Sequence, residues 1–219
     1  MSNPRKPIFD AVRPLARAGL FNDPGNILAL DNLLDAFGVP REGQATSLQK
    51  TQITQPKPHQ TNEPRWMIEA RKLMGQREIP GPKHNRWIAE GWKRLGAGWF
   101  TDDETPWCGL FVAHCIEAAG LPFPKTFPRA MAWAEWGKPG VPAVGAVVVF
   151  KRQGGGHVGF LVGENARHYY VLGGNQSNAV NIMPLDRDRA VAIRWPSGMA
   201  LPTPGLPKMS GGVVSTNEA

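Results

Sequence analysis

Cysteine is nearly absent: Cys108 and Cys115 are the two in 219 residues. A disulfide framework is excluded by that count. Seven residues apart in a helical segment they would lie roughly 10.5 Å apart, too far for a bridge. No apolar run approaches the ~18 residues of a membrane span, so no stable membrane insertion is expected. The N-terminal MSNPRKPIFDAVRPL lacks an apolar stretch followed by a small-residue cleavage site, and no secretory signal is read there. The expectation is a chain made in the cytoplasm, with another route outward if it acts elsewhere. Basic runs longer than two are also missing. Of the net charge of +7, +6 resides in residues 64–197, where 17 Lys and Arg face 11 Asp and Glu. These positives are scattered as Arg71, Lys83, Arg94, Lys125, Arg129 and Lys151, which reads as a soluble basic surface; attraction to another polyanion fits it as well as nucleic acid does, and no nucleic acid is expected as a partner. Neither Cys-x-x-Cys nor His-x-x-x-His spacing occurs, so a metal centre from Cys108, His114, Cys115 and His157 is not expected, nor any cofactor.

What is present describes an ordinary globular domain with additions. Hydrophobic residues make up 42% of the chain, and Gly 25 with Pro 21 fall short of a low-complexity composition. Residues 1–40 read as a small helical element, split near Pro14 and capped again at Asp23-Pro24. Residues 41–64, rich in Gln, Thr and Pro, read as a flexible linker. The body spans 65–196, and 197–219, without periodicity, reads as a flexible tail. Within the body, Trp66–Met74, Trp87–Leu95, Trp107–Ala119 and Phe127–Trp136 have helical spacing. From Gly145 the period changes. Short β-branched or aromatic runs begin at Ala146, His157, His168, Ala179 and Ala190, separated by Gly, Asn and Asp, as in an antiparallel sheet. Helices first and strands afterwards predict an α+β fold with helices packed on that sheet.

The chemistry gathers at three points. Cys108 opens an apolar helix directly behind the acidic turn Asp102-Asp103-Glu104-Thr105-Pro106, where first-turn amides and the helix dipole favour a thiolate. Cys115, among Val112, Ile116 and Ala119, reads as core. His157 follows Gly154-Gly155-Gly156 at the start of a strand, where little bulk stands beside it. A cysteine at a helix N-terminus facing a strand histidine is the arrangement of a nucleophile and its base. Asn175, at the end of the next strand, is the candidate to hold the imidazole through its amide oxygen. If it does not, Gln176 or a water must. Asp103, Trp107, Gly156 and Gln176 are candidates for substrate contact, with capping open for Asp103 and core packing open for Trp107. Trp99 shares the Trp107 alternatives, and His114, about 120° around the helix from Cys108, reads as structural.

The blocks Asp102 to Cys108, Gly155 to Phe160 and Leu172 to Ser177 together resemble the papain-fold cell-wall cysteine peptidases of the CHAP and NlpC-like superfamily, and within it the phage endolysin type. The resemblance covers about Trp66 to Trp195. It departs at Gly145-Ala146, where many relatives carry Gly-Asp before the strand leading to the histidine. It implies a papain-like fold, Cys108 as nucleophile, His157 as general base and acid, Asn175 as orienting residue, and an amide bond of peptidoglycan as substrate. The anionic cell wall would then be the partner, reached after release through a holin or a secretion system. The residues 1–40 would serve targeting, and the oligomeric state stays open. Two rival readings remain: a catalytically silent wall-binding module, and an acyltransferase using the same thioester.

Overall fold

The computed structural model describes residues 63–215. The helical element expected over 1–40, nearly all of the linker expected over 41–64, and residues 216–219 lie outside the described residues. Three helices come first, α1 (Arg65–Lys72), α2 (Arg86–Arg94) and α3 (Cys108–Ala118). α1 buries Trp66, Met67 and Ala70 on one face and ends on Arg71 and Lys72, cations that suit the C-terminal end of the helix dipole. α2 begins at Asn85, whose side-chain oxygen accepts the Trp87 N–H at 2.9 Å, an N-cap bond. α3 buries eight of its eleven residues, with His114 and Glu117 as its polar positions, so most of it runs through the core. The short helix expected near 127–136 is a 3-10 segment, Ala130–Glu135.

Six strands follow: β1 (Lys138–Pro139), β2 (Val147–Arg152), β3 (Gly155–Glu164), β4 (His168–Gly173), β5 (Asn181–Asp186) and β6 (Ala190–Trp195). They form one antiparallel sheet in the order β1-β6-β2-β3-β4-β5. The architecture is therefore α+β. β2 and β3 close as a hairpin over Gln153 and Gly154, with Gly154 at φ 77°, a left-handed conformation that glycine adopts freely. This register sets Phe150 opposite His157. Val147 to Phe150 are all buried, as expected for a central strand covered on both faces.

Aromatic side chains join the layers. Trp66, Trp92, Trp107 and Trp133 are fully buried, and each indole N–H still finds an acceptor, as burial demands. Trp66 donates to the Gly145 carbonyl at 2.8 Å, Trp92 to Asp102 O at 3.0 Å, Trp133 to Phe127 O at 3.0 Å and Trp107 to Glu78 Oε1 at 2.8 Å. Phe111 of α3 meets Phe160 of β3 edge-on at 5.9 Å, which seats the helix on the strand that carries His157.

The stretch from residue 197, expected as a flexible tail, makes main-chain bonds in its described part. Gly205 N–H donates to Pro142 O at 2.8 Å, Met209 N–H to Glu164 O at 2.9 Å, and Ser215 N–H to Pro184 O at 3.1 Å. Leu206 is buried, and the Tyr170 hydroxyl donates to Gly211 O at 2.8 Å. Docking by main-chain bonds along strand ends and the β5 edge leaves no side-chain period in the sequence.

Candidate active site

Cys108 is the first residue of α3, and the turn before it is held by two aspartates. Asp102 Oδ1 accepts the Thr105 N–H at 2.6 Å, and that bond above all holds its carboxyl below the usual range. Asp103 accepts the main-chain N–H of Ile79 and of Asn85 on Oδ2, both at 2.8 Å, while His84 Nδ1 lies 2.9 Å from Oδ1. The next residue along α3 must be small. A Cβ on Gly109 would strike the Phe127 carbonyl, so glycine lets the N-terminus of the helix press against the 127–128 backbone.

The Cys108 thiol is 5% exposed. Burial pushes its pKa up, and the Val158 and Gly109 N–H groups and the Arg152 charge oppose this without reversing it. The helix N-terminus was expected to favour a thiolate; desolvation outweighs it, because the charged form loses water that the first-turn amides only partly replace. Val158 belongs to β3, the strand that also carries His157. Cys115 is fully buried and its thiol is pushed well up by burial, in keeping with a core residue.

His157 is 1% exposed. Its Nε2 lies 3.0 Å from Gln176 Oε1. The ring partner expected from the sequence was Asn175; the structure brings its neighbour instead. Asn175 has left-handed backbone, φ 56°, in the turn that follows β4 and leads to Gln176. Asn175 itself is buried, and its Oδ1 has no hydrogen-bond partner among the described residues. A Cβ on Gly173 would lie 3.0 Å from His157 Nε2 and 2.7 Å from Gln176 Oε1, so this glycine admits the contact.

Of the four residues expected to touch substrate, three are buried. Asp103 and Trp107 are fully buried, the first latching residues 79–85 and the second packed edge-on against Trp87 at 6.3 Å. Gln176 is fully buried on His157. Gly156 remains half-buried on β3, its carbonyl accepting the Arg152 Nε–H at 3.3 Å. Trp99 is 70% exposed against Phe100, so it is not core. His114 joins the three helices: its Nε2 lies 3.2 Å from Glu69 Oε1, its Nδ1 2.6 Å from Arg94, and its ring stands edge-on to Trp87. Burial is the main reason its pKa lies below the usual value.

Sequence reasoning missed Arg152, whose charge favours the Cys108 thiolate, and Asn181, which bonds Gln176. Neither carries a local signal, since only strand register brings them to the site. A cleft of about 560 Å³ lies beside the same loop, lined among others by Glu78, Glu104, Ser177 and Asn178. Residues 100–175 match the family model of the CHAP domain, a stretch that includes Cys108 and His157 and stops one residue before Gln176. No curated protein matches the chain.

Proposed function

We propose that this CHAP domain, of a kind typically found in hydrolases acting on peptidoglycan, is a cysteine amidohydrolase of endolysin type that cuts an amide bond of the wall peptide. The observation that carries the reading is the placement of Cys108 at the start of α3, a helix packed through Phe111 on Phe160 of β3, the strand whose His157 ring lies 3.0 Å from Gln176. Cys108 is the nucleophile. As sulfur attacks the carbonyl carbon, its proton passes to His157, which returns it to the leaving amine as the C–N bond breaks. Water activated by the same ring then opens the thioester, releasing a carboxylate and restoring the thiol. The developing oxyanion is met by the Cys108 main-chain N–H in the open first turn of α3. Because burial keeps the thiol protonated at rest, proton transfer to His157 accompanies attack. The substrate peptide is seated in the cleft beside Ser177 and Asn178, and the enzyme meets the wall after release through a holin or secretion system.

The test is mass spectrometry of purified peptidoglycan after incubation with the full chain. Fragments carrying one added water at an amide are expected, and none with Cys108→Ala. Unchanged peptidoglycan, or equal cleavage by Cys108→Ala, overturns the reading. Acyl transfer through the same thioester is a second reading, favoured by the near-complete burial of Cys108 and His157, which limits water. It predicts a new amide bond to an added amine in place of hydrolysis.

A further inference from the structure

Gln176 is fully buried, and both ends of its amide are engaged. Its Nε2 lies 3.2 Å from Val171 O, 2.8 Å from Asn181 O and 2.9 Å from Asn181 Oδ1. A main-chain carbonyl can only accept, so the end facing two of them must be the NH2 group. Asn181, opposite Gly173 at the start of β5, is oriented by the same logic. Its Nδ2 donates to the Gln176 carbonyl at 2.7 Å, which leaves Oδ1 as the atom turned to Gln176. Amide orientations settled this way rest on the hydrogen-bond network. Here every branch ends on a main-chain carbonyl, so the donor direction runs one way through both amides. Gln176 Oε1 therefore accepts from the ring: His157 Nε2 carries the hydrogen, and in the neutral ring the lone pair is then on Nδ1.

We propose that Asn181 is a positioning residue that acts through Gln176, the two amides together holding His157 in its Nε2–H tautomer, and that their surroundings accept an amide at 176 and reject a carboxylate. The inference rests on the reading of His157 as the base. A carboxylate at 176 would turn an oxygen toward three acceptor oxygens with no hydrogen between them. Gln176→Glu must therefore hold a proton or leave the pocket. Among the described residues, the titratable and charged groups around the cluster are Cys108 and Arg152 on the α3 and β2 side, and Arg77, Glu78 and Glu104 along the neighbouring cleft. All are common to wild type and variant, so a change in pH profile belongs to position 176.

The experiment uses the full chain with 15N-labelled histidine, with soluble wall peptides as substrate. In the wild type, the nitrogen shifts of neutral His157 are expected to report Nε2 protonated and Nδ1 bare. The opposite tautomer overturns the proposal without any variant. Gln176→Leu is expected to mix the tautomers and lower kcat roughly 10- to 100-fold with KM within about twofold, and Asn181→Leu to move both readouts the same way by less. Gln176→Glu is expected to lose activity on the alkaline side as its carboxyl ionises. A shift of the acid limb upward instead would mean that a carboxylate is tolerated, which refutes the rejection. Unchanged tautomer and kcat in both leucine variants refute the positioning role. Full activity in Cys108→Ala refutes the underlying site reading, whatever the tautomer.

Discussion

Asp103→Ala is expected to loosen the entrance to α3, leaving substrate affinity alone. The carboxylate is fully buried and accepts the Ile79 and Asn85 N–H groups, with His84 as its third partner. Its removal strands two main-chain donors, at about 1–3 kcal/mol each. The whole loss is about 3–5 kcal/mol, as for a broken buried charge cluster. For a domain of this size that lowers Tm by roughly 10 °C or more. The pH dependence follows from the same bonds. Burial alone raises the Asp103 carboxyl, but the Asn85 and Ile79 N–H groups and His84 together hold it below its ordinary value. A depressed folded-state pKa contributes stability that is present above the unfolded value of about 3.9 and is lost as pH falls through the folded one. Thermal melts followed by circular dichroism between pH 3 and 7, with KM at neutral pH, provide the check. The wild type should lose stability below about pH 4 by an amount that Asp103→Ala lacks. A variant that melts with the wild type while KM rises sharply would refute the latch and return Asp103 to the substrate.

Alkylation distinguishes the two thiols: iodoacetamide should modify Cys108 faster than Cys115, at a rate that rises about tenfold per pH unit between 6 and 8, since a raised pKa leaves thiol as the resting form. A rate already level below pH 7 would reveal a preformed thiolate and contradict the effect assigned to burial. Gly109→Ala should destabilise the domain and abolish cleavage together, because the added Cβ meets the Phe127 carbonyl; wild-type rates would show that the helix start can shift at little cost. Deleting residues 205–219 should lower the melting temperature, through loss of the Leu206 contact and the bonds to Pro142, Glu164 and Pro184; an unchanged melt would mean that the tail only rests on the sheet.

How far the site could be read from the chain depends on the distance over which each residue's place is decided. Cys108 and His157 stand at boundaries that neighbouring residues announce: an acidic turn ahead of an apolar helix, and three glycines ahead of a strand. The five longer strands and three helices follow from periodicity in the same way. Asp103 looks like a surface residue because its own neighbours are acidic and polar; its burial comes from Ile79 and Asn85, 24 and 18 residues earlier. Asn175 and Gln176 differ in another respect. Both carry an amide, both follow the strand, and composition cannot separate them. The choice goes with the left-handed φ of Asn175, in a turn where Ser177 and Asn178 are left-handed as well: one amide oxygen lies on His157, and the other is buried with no partner among the described residues. That angle in turn suits the bond between Asn181 Nδ2 and the Gln176 carbonyl, so the identity of the ring's partner depends on the register of β4 with β5 as much as on the residue itself. An amide placed by register is fixed in direction as well as position, and under the proposed mechanism that direction decides which imidazole nitrogen carries the hydrogen toward Gln176.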